Sequence, residues 1–226
     1  MSILEFITSN VKYVEDFVTR STYHSNAIEG NTLTYAETYA ILYNDNSFKI
    51  DGKEPREIYE AINHKNALEL AFKNLQGNAE FDERLIKEIN ETINKNIKET
   101  QGFRKIQVFI QGSDHIPPEP EKIPNLMNYF VYNYNNDNQE IFEKIAKYHI
   151  EFEKIHPFED GNSRTGRLLI NYELLKNDLP PVVIAKEDRV KYFEFLRNED
   201  YKQFSIWLEE LSESEKERMK KFGYTE

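Results

Sequence analysis

His156-Pro157-Phe158-Glu159-Asp160-Gly161-Asn162-Ser163-Arg164-Thr165-Gly166-Arg167 is the stretch on which the reading of this chain turns. It supplies an imidazole, carboxylates, a tight turn and two guanidiniums in unbroken succession. A helical pattern follows, with Leu168, Leu169, Tyr172 and Leu175 at i, i+1, i+4 and i+7. Arg164, Arg167 and Asn171 recur at i, i+3 and i+7, so they share a different face. Asp160-Gly161-Asn162 has a turn composition, which puts the first free N–H groups of the helix just after it. Those donors and the positive end of the helix dipole make an anion site. Two guanidinium forks on the next turn suit phosphate oxygens. The stretch reads as phosphate chemistry.

Outward from it the pattern is helical almost throughout. Residues 2–28 carry Ile3, Phe6, Ile7, Val11, Val14, Phe17 and Val18 at three-to-four spacing. Thr34-Tyr35-Ala36-Glu37 is a capping box that opens a helix to about Tyr43. Pro55 stands in the first turn of a long helix, with Ile58, Ala61, Ile62, Ala67, Leu68 and Ala71 on its stripe. Asp82 begins a helix through Ile97. Others are expected at about 121–134, 137–155, 186–198 and 201–222, the charged end from Ser212 to Lys221 being a solvated extension. Only 101–112 departs: it is rich in β-formers, bounded by Gly102 and Gly112, and followed by Pro117-Pro118, so it predicts a short hairpin or flap. Residues 106–110 would offer a strand edge to an extended partner segment. With no repeat or low-complexity linker, the expectation is an all-α fold with a small β-hairpin flap, in one domain over 1–226. Within it, 1–45 form N-terminal helices and 46–226 the core.

Composition narrows the function. A formal charge of −11 argues against DNA or an anionic membrane as partner, since both need a basic footprint. With no cysteine, disulfides, thiolate catalysis and Cys-based zinc sites are excluded. The first residues lack a basic stretch followed by an apolar core, and no apolar run reaches spanning length, so a cytoplasmic location is the default expectation. His156, before a proline, could cap a helix C-terminus; an acid and two arginines close by favour a proton acceptor. Asp160 could cap the next helix or, beside phosphate, ligate magnesium.

The twelve residues resemble the signature of the Fic family, His-Pro-Phe-x-[Asp/Glu]-Gly-Asn-Gly-Arg-x-x-Arg, with Ser163 standing where the signature has glycine. Ser25-Asn26-Ala27-Ile28-Glu29-Gly30 resembles that family's inhibitory motif, [Ser/Thr]-x-x-x-Glu-[Gly/Asn]. The resemblance implies a Fic-type helical domain that transfers AMP from ATP to a Tyr, Thr or Ser hydroxyl of a target protein, or of the chain itself, releasing pyrophosphate. It implies His156 as base and Asp160 as ligand of Mg2+ (or Mn2+). Gly161, Asn162 and Ser163 would form the α-phosphate hole. Arg164 and Arg167 would hold the β- and γ-phosphates, and Tyr192 would pack on the nucleotide. Gln107, Val108, Phe109 and Ile110 would dock the target. Glu29, four residues after Ser25 and on the same helix face, would pair with Arg167 and inhibit. A homodimer is in keeping with the family. Removal of AMP, a donor such as UTP or GTP, or a phosphocholine carrier stay open. So does a nucleotide-binding regulator whose transfer Ser163 impairs, because a Cβ there limits backbone approach to phosphate.

Overall fold

A computed structural model describes residues 1–45, 50–98, 101–110 and 112–225. Among these residues no strand forms. The helices are α1 (Ile3–Ser9), α2 (Val11–Ile28), α3 (Tyr35–Tyr43), α4 (Pro55–Gln76), α5 (Glu83–Asn94), α6 (Ile123–Asn136), α7 (Ile141–Ile155), α8 (Asn162–Lys176), α9 (Arg189–Asn198) and α10 (Tyr201–Lys221). The all-α expectation is met.

Local chemistry accounts for most boundaries. Thr34 and Glu37 form a reciprocal capping box at α3. Pro55 is the first residue of α4, where a missing N–H costs nothing. Asp82 accepts from the Leu85 N–H at 2.8 Å and starts α5. The apolar pattern of 2–28 is two helices rather than one. Asn10 takes an extended conformation between them, and its side chain accepts from the Tyr13 N–H. The break changes the buried face: Tyr13 and Phe17 enter the core while Val11 is left exposed.

The C-terminal helix also differs from expectation. Its charged end is no solvated extension, because Ser212, Glu215 and Met219 are buried. Glu215 accepts from the Tyr13 hydroxyl at 2.7 Å and pairs with Arg20 at 2.6 Å, which ties α10 to α2. Arg218 closes the same cluster on Asp16.

The core sits around α8, which packs against α4, α5 and α7, while α10 covers the far side of α7. From Arg164 to Leu175 every residue of α8 is buried. A helix covered on every side belongs to the middle of a fold, so Arg164 and Arg167 are interior charges, which need partners to be tolerated. Leu168 and Tyr172 join one apolar cluster, with Phe17, Leu68, Ile89 and Phe152. Ile170 and Leu174 join a second, with Ile28, Tyr192, Phe204 and Leu208.

The 101–112 segment is a loop rather than a hairpin among its described residues; Gln111 lies outside them. A lone two-stranded hairpin is marginal in water, and another device holds this segment. Buried Arg104 donates from its guanidinium to the carbonyls of Ile106, Pro118 and His156, and its own N–H goes to Pro157 O at 2.9 Å. Gln107 donates to Pro117 O at 2.9 Å, leaving Ile106 and Phe109 exposed. The loop is thereby stapled to the stretch that begins at His156.

Phe158 makes the same link from below: it is fully buried against Phe103 and Phe152. Phe158→Ala is expected to cost about 3–5 kcal/mol in urea unfolding; a loss under ~1 kcal/mol would show that the stretch is not anchored through this ring. His64, buried with Nδ1 3.1 Å from Thr22 Oγ1, is pushed down to about 3 by burial and by the nearby Arg167 and Arg164 charges. The unfolded chain therefore takes up a proton near the usual histidine value while the folded chain does not, and stability falls as pH drops from there toward 3. In His64→Gln the slope of unfolding free energy against pH between roughly 6 and 4 should decrease by about one proton; an unchanged slope would contradict the assignment.

Candidate active site

Asp160 and Gly161 turn the chain from α7 into α8. Gly161 has φ +75°, a left-handed conformation that a side chain resists, and an added Cβ would meet Asn94 Nδ2 and Ile93 Cγ2 at 3.0 Å. The contacts are close because α5 clamps the turn. Asn90 and Asn94 donate to Asp160 O at 2.9 and 3.0 Å, and Asn90 also reaches Thr165 Oγ1. Gly161 cannot cap α8 with a side chain, which leaves the first-turn N–H groups to external acceptors. Gly161, Asn162, Ser163 and Arg164 line an open cleft of about 580 Å³ that also takes in His156, Asp160 and Glu29.

His156 ends α7 in a left-handed conformation, φ +48°, its N–H donating to Phe152 O at 3.0 Å. The ring Nδ1 lies 3.3 Å from Glu153 O, a contact that places the proton on Nδ1 and leaves Nε2 as the basic atom. Burial depresses this imidazole to about 4, partly opposed by the Glu153 carbonyl. It is therefore neutral at physiological pH and able to accept a proton.

Asn162 and Ser163 line the cleft, and the side-chain polar groups of both already have protein partners. The Asn162 amide is used twice on Phe158, accepting from its N–H and donating to its O, both at 2.9 Å. Its amide thus braces the loop. Ser163 Oγ donates to Glu153 Oε2 at 3.0 Å, away from any cleft anion. Glu153 is buried, its other oxygen lacks a hydrogen-bond partner among the described residues, and burial pushes its carboxyl up to about 7. A Cβ at Gly166 would meet that oxygen at 2.6 Å, so α7 and α8 approach closely behind the cleft.

The two arginines differ in their partners. Arg164 lies 3.1 Å from Asp160 Oδ1 and 3.3 Å from Glu60 Oε1. Asp160 also accepts from Arg56 at 2.7 Å and from the Gly161 N–H. Burial alone would raise the Asp160 carboxyl, but Arg164 and Arg56 more than offset it and hold it below the usual range. Arg167 Nε donates to Ser25 Oγ at 3.0 Å and its Nη2 to Ser25 O at 2.9 Å and Glu29 Oε1 at 2.8 Å. Its Nη1 is buried without a hydrogen-bond partner among the described residues. Glu29, the C-cap of α2, is partly exposed to the cleft while Arg167 is buried beneath it. The spacing of Ser25 and Glu29 thus brings both onto one guanidinium, from 142 and 138 residues away.

Tyr192 is the expected site residue placed elsewhere. It is fully buried, its hydroxyl 2.9 Å from His149 Nε2 and its ring beneath Arg167 at 5.7 Å. It packs behind the arginine instead of lining the cleft, because the apolar face of α9 is drawn into the cluster with Phe204. Sequence pattern does not single out Arg104, Arg56, Glu60, Asn90 and Asn94, which also belong to the site. One signal is available for the asparagines: they stand four apart on α5 beside the buried Ile86, Ile89 and Ile93, where amides need partners.

Comparison with known proteins points to one family. Residues 80–174 match the Fic/DOC family. The protein named protein adenylyltransferase Fic of Drosophila virilis is 34% identical over 180 residues, covering 77% of this chain and 36% of the relative. The chain thus spans about a third of the length of the curated relatives it matches. A Fic domain containing signaling protein from Bacteroides thetaiotaomicron superposes with TM-score 0.73 at 29% identity, over 82% of this chain and 72% of that one. Fic-1 (residues 134–508) from C. elegans superposes with TM-score 0.78 at 26% identity, over 95% and 64%. With its signature stretch, its helical fold and these relatives, the chain carries a Fic/DOC family domain.

Proposed function

We propose that the chain is a protein adenylyltransferase that moves AMP from ATP to a hydroxyl of a protein, with Glu29 holding it in check. The observation that carries the reading is the cleft itself. A neutral imidazole, uncapped helix N–H groups, a carboxylate and a guanidinium converge at one helix start. Phosphoryl transfer asks little covalent chemistry of a protein; it asks for positioned donors where charge collects on phosphate oxygens. The first turn of α8 is suited to the α-phosphate, and Arg164 and Arg167 to the phosphates beyond it. His156 Nε2 takes the proton of the incoming hydroxyl as that oxygen attacks the α-phosphorus and pyrophosphate leaves. The exposed loop around Phe109 is where an extended target segment would lie, and the name the relatives carry supports this class of activity.

Asp160 suits a magnesium ion, which favours one or two carboxylates together with substrate oxygens and water. Its carboxyl is held ionised and reaches the cleft. Among the described residues no three His, Cys, Asp or Glu side chains gather into a protein-only cage, so further ligands would come from substrate and solvent. When bound, the ion would neutralise charge on the phosphates.

The Glu29–Arg167 pair supports the inhibitory reading. With Nε and Nη2 of Arg167 on Ser25 and Glu29, only the buried Nη1 is left for a γ-phosphate, and a part-buried carboxylate at 2.8 Å is a strong competitor. Glu29→Gly is expected to raise AMP transfer by about tenfold or more in an ATP-labelling assay, since ~1.4 kcal/mol of competition is a factor of ten; equal rates would remove Glu29 as a regulator. His156→Ala is expected to lower labelling by about 10²–10⁴-fold while nucleotide affinity, read by calorimetry, is kept. Undiminished labelling would refute the base, and loss of both would assign His156 to binding instead.

A further inference from the structure

Arg56 stands outside the signature stretch, at the start of α4, yet its guanidinium touches the site. Its Nη2 lies 2.7 Å from Asp160 Oδ2 and its Nε 3.0 Å from Glu60 Oε1. Arg164 faces the same two acids, with Nη1 3.3 Å from Glu60 Oε1 and Nη2 3.1 Å from Asp160 Oδ1. Arg56, Glu60, Arg164 and Asp160 therefore close a ring of alternating charge in which each carboxylate is shared by two guanidiniums.

The members differ in how firmly they are held. The side chains of Arg164 and Glu60 are 3% and 9% exposed, whereas those of Asp160 and Arg56 are 21% and 54% exposed. Removing Arg164 or Glu60 would strand a buried charge, which is costly. Removing Arg56 takes one hydrogen bond from the nearly buried Glu60 Oε1 but leaves that oxygen 3.3 Å from Arg164 Nη1. It frees Oδ2 of Asp160 and changes the ring from neutral to net negative, with the open oxygen at the cleft. Glu60 is meanwhile kept in place by Asn31, which donates to its Oε2 at 2.9 Å.

We propose that Arg56 is the exchangeable cation of this ring: it occupies the oxygen of Asp160 that a divalent ion must take, and so sets how tightly the cleft binds that ion. The inference rests on Asp160 being the metal ligand of the proposed reaction, and it puts control of metal affinity on α4. An entering ion displaces the Arg56 guanidinium from Asp160 while the Nε contact to Glu60 can persist. Arg164 stays, because its partners and burial do not depend on Arg56. An ordinary surface ion pair would stabilise slightly or not at all and would leave metal affinity unmoved.

The test is a Mn2+ titration of the ¹⁵N-labelled full chain, read as paramagnetic broadening of the Gly161 and Asn162 amide signals, in wild type, Arg56→Gln, Arg56→Lys and Asp160→Asn. Arg56→Gln is expected to reach half-broadening at about threefold to tenfold lower Mn2+ than wild type, the scale set by one partly exposed ion pair. Arg56→Lys, which keeps the charge, should lie closer to wild type than Arg56→Gln does. Asp160→Asn should lose the broadening. If Asp160→Asn loses it but Arg56→Gln matches wild type or needs more Mn2+, the metal ligand stands and the competition by Arg56 is overturned. If Asp160→Asn broadens as wild type does, the metal assignment itself fails, and the proposal with it.

Discussion

One guanidinium organises this protein. Arg167 lies inside the central helix, where a charge without partners would be intolerable. Its partners come from the opposite end of the chain, Ser25 and Glu29 on α2. The consequences reach in both directions. Behind the arginine, Tyr192, His149 and Glu153 form a buried polar layer between α7, α8 and α9, in which burial raises one carboxyl and depresses one imidazole. In front of it, Glu29 reaches the cleft. The same contact that makes an interior arginine acceptable also occupies the group best suited to a distal phosphate. In the proposed reading, the contact that stabilises the site is also the one that restrains it.

The cleft is held open by polar bracing. Asn90 and Asn94 hold the Asp160 carbonyl, Asn162 holds Phe158 at both its N–H and its O, and Arg104 holds the carbonyls of His156 and Ile106. Each of these uses a side chain to fix backbone. The backbone N–H groups at the start of α8 are thereby left for a ligand. Such preorganisation is what electrostatic catalysis needs, since donors already in position need not reorganise when charge develops.

Much of this was legible in the sequence. The turn at Asp160-Gly161-Asn162 and the helix from Asn162 follow from turn composition and periodicity. The pairing of Glu29 with Arg167 was implied by the family resemblance alone, while the four-residue spacing placed Ser25 and Glu29 on one helix face. What escaped was of two kinds. Some residues act through contacts across long sequence separations that no local pattern encodes, as Arg56 does with Asp160 and Arg104 with His156. Others turn their side chains to unexpected partners: Ser163 donates to Glu153, and Tyr192 is drawn into the core. The departure from glycine at 163 therefore has its answer in packing. Its hydroxyl is engaged with α7, and the concern over crowding reduces to a single Cβ.

The central claim is that the cleft directs attack at the α-phosphate of ATP. The most direct measurement compares covalent labelling of protein by α-³²P-ATP and γ-³²P-ATP, with magnesium, in wild type and Glu29→Gly. The account predicts label from the α-position alone. Label from the γ-position, or binding of ATP with no covalent label in either protein, would contradict it.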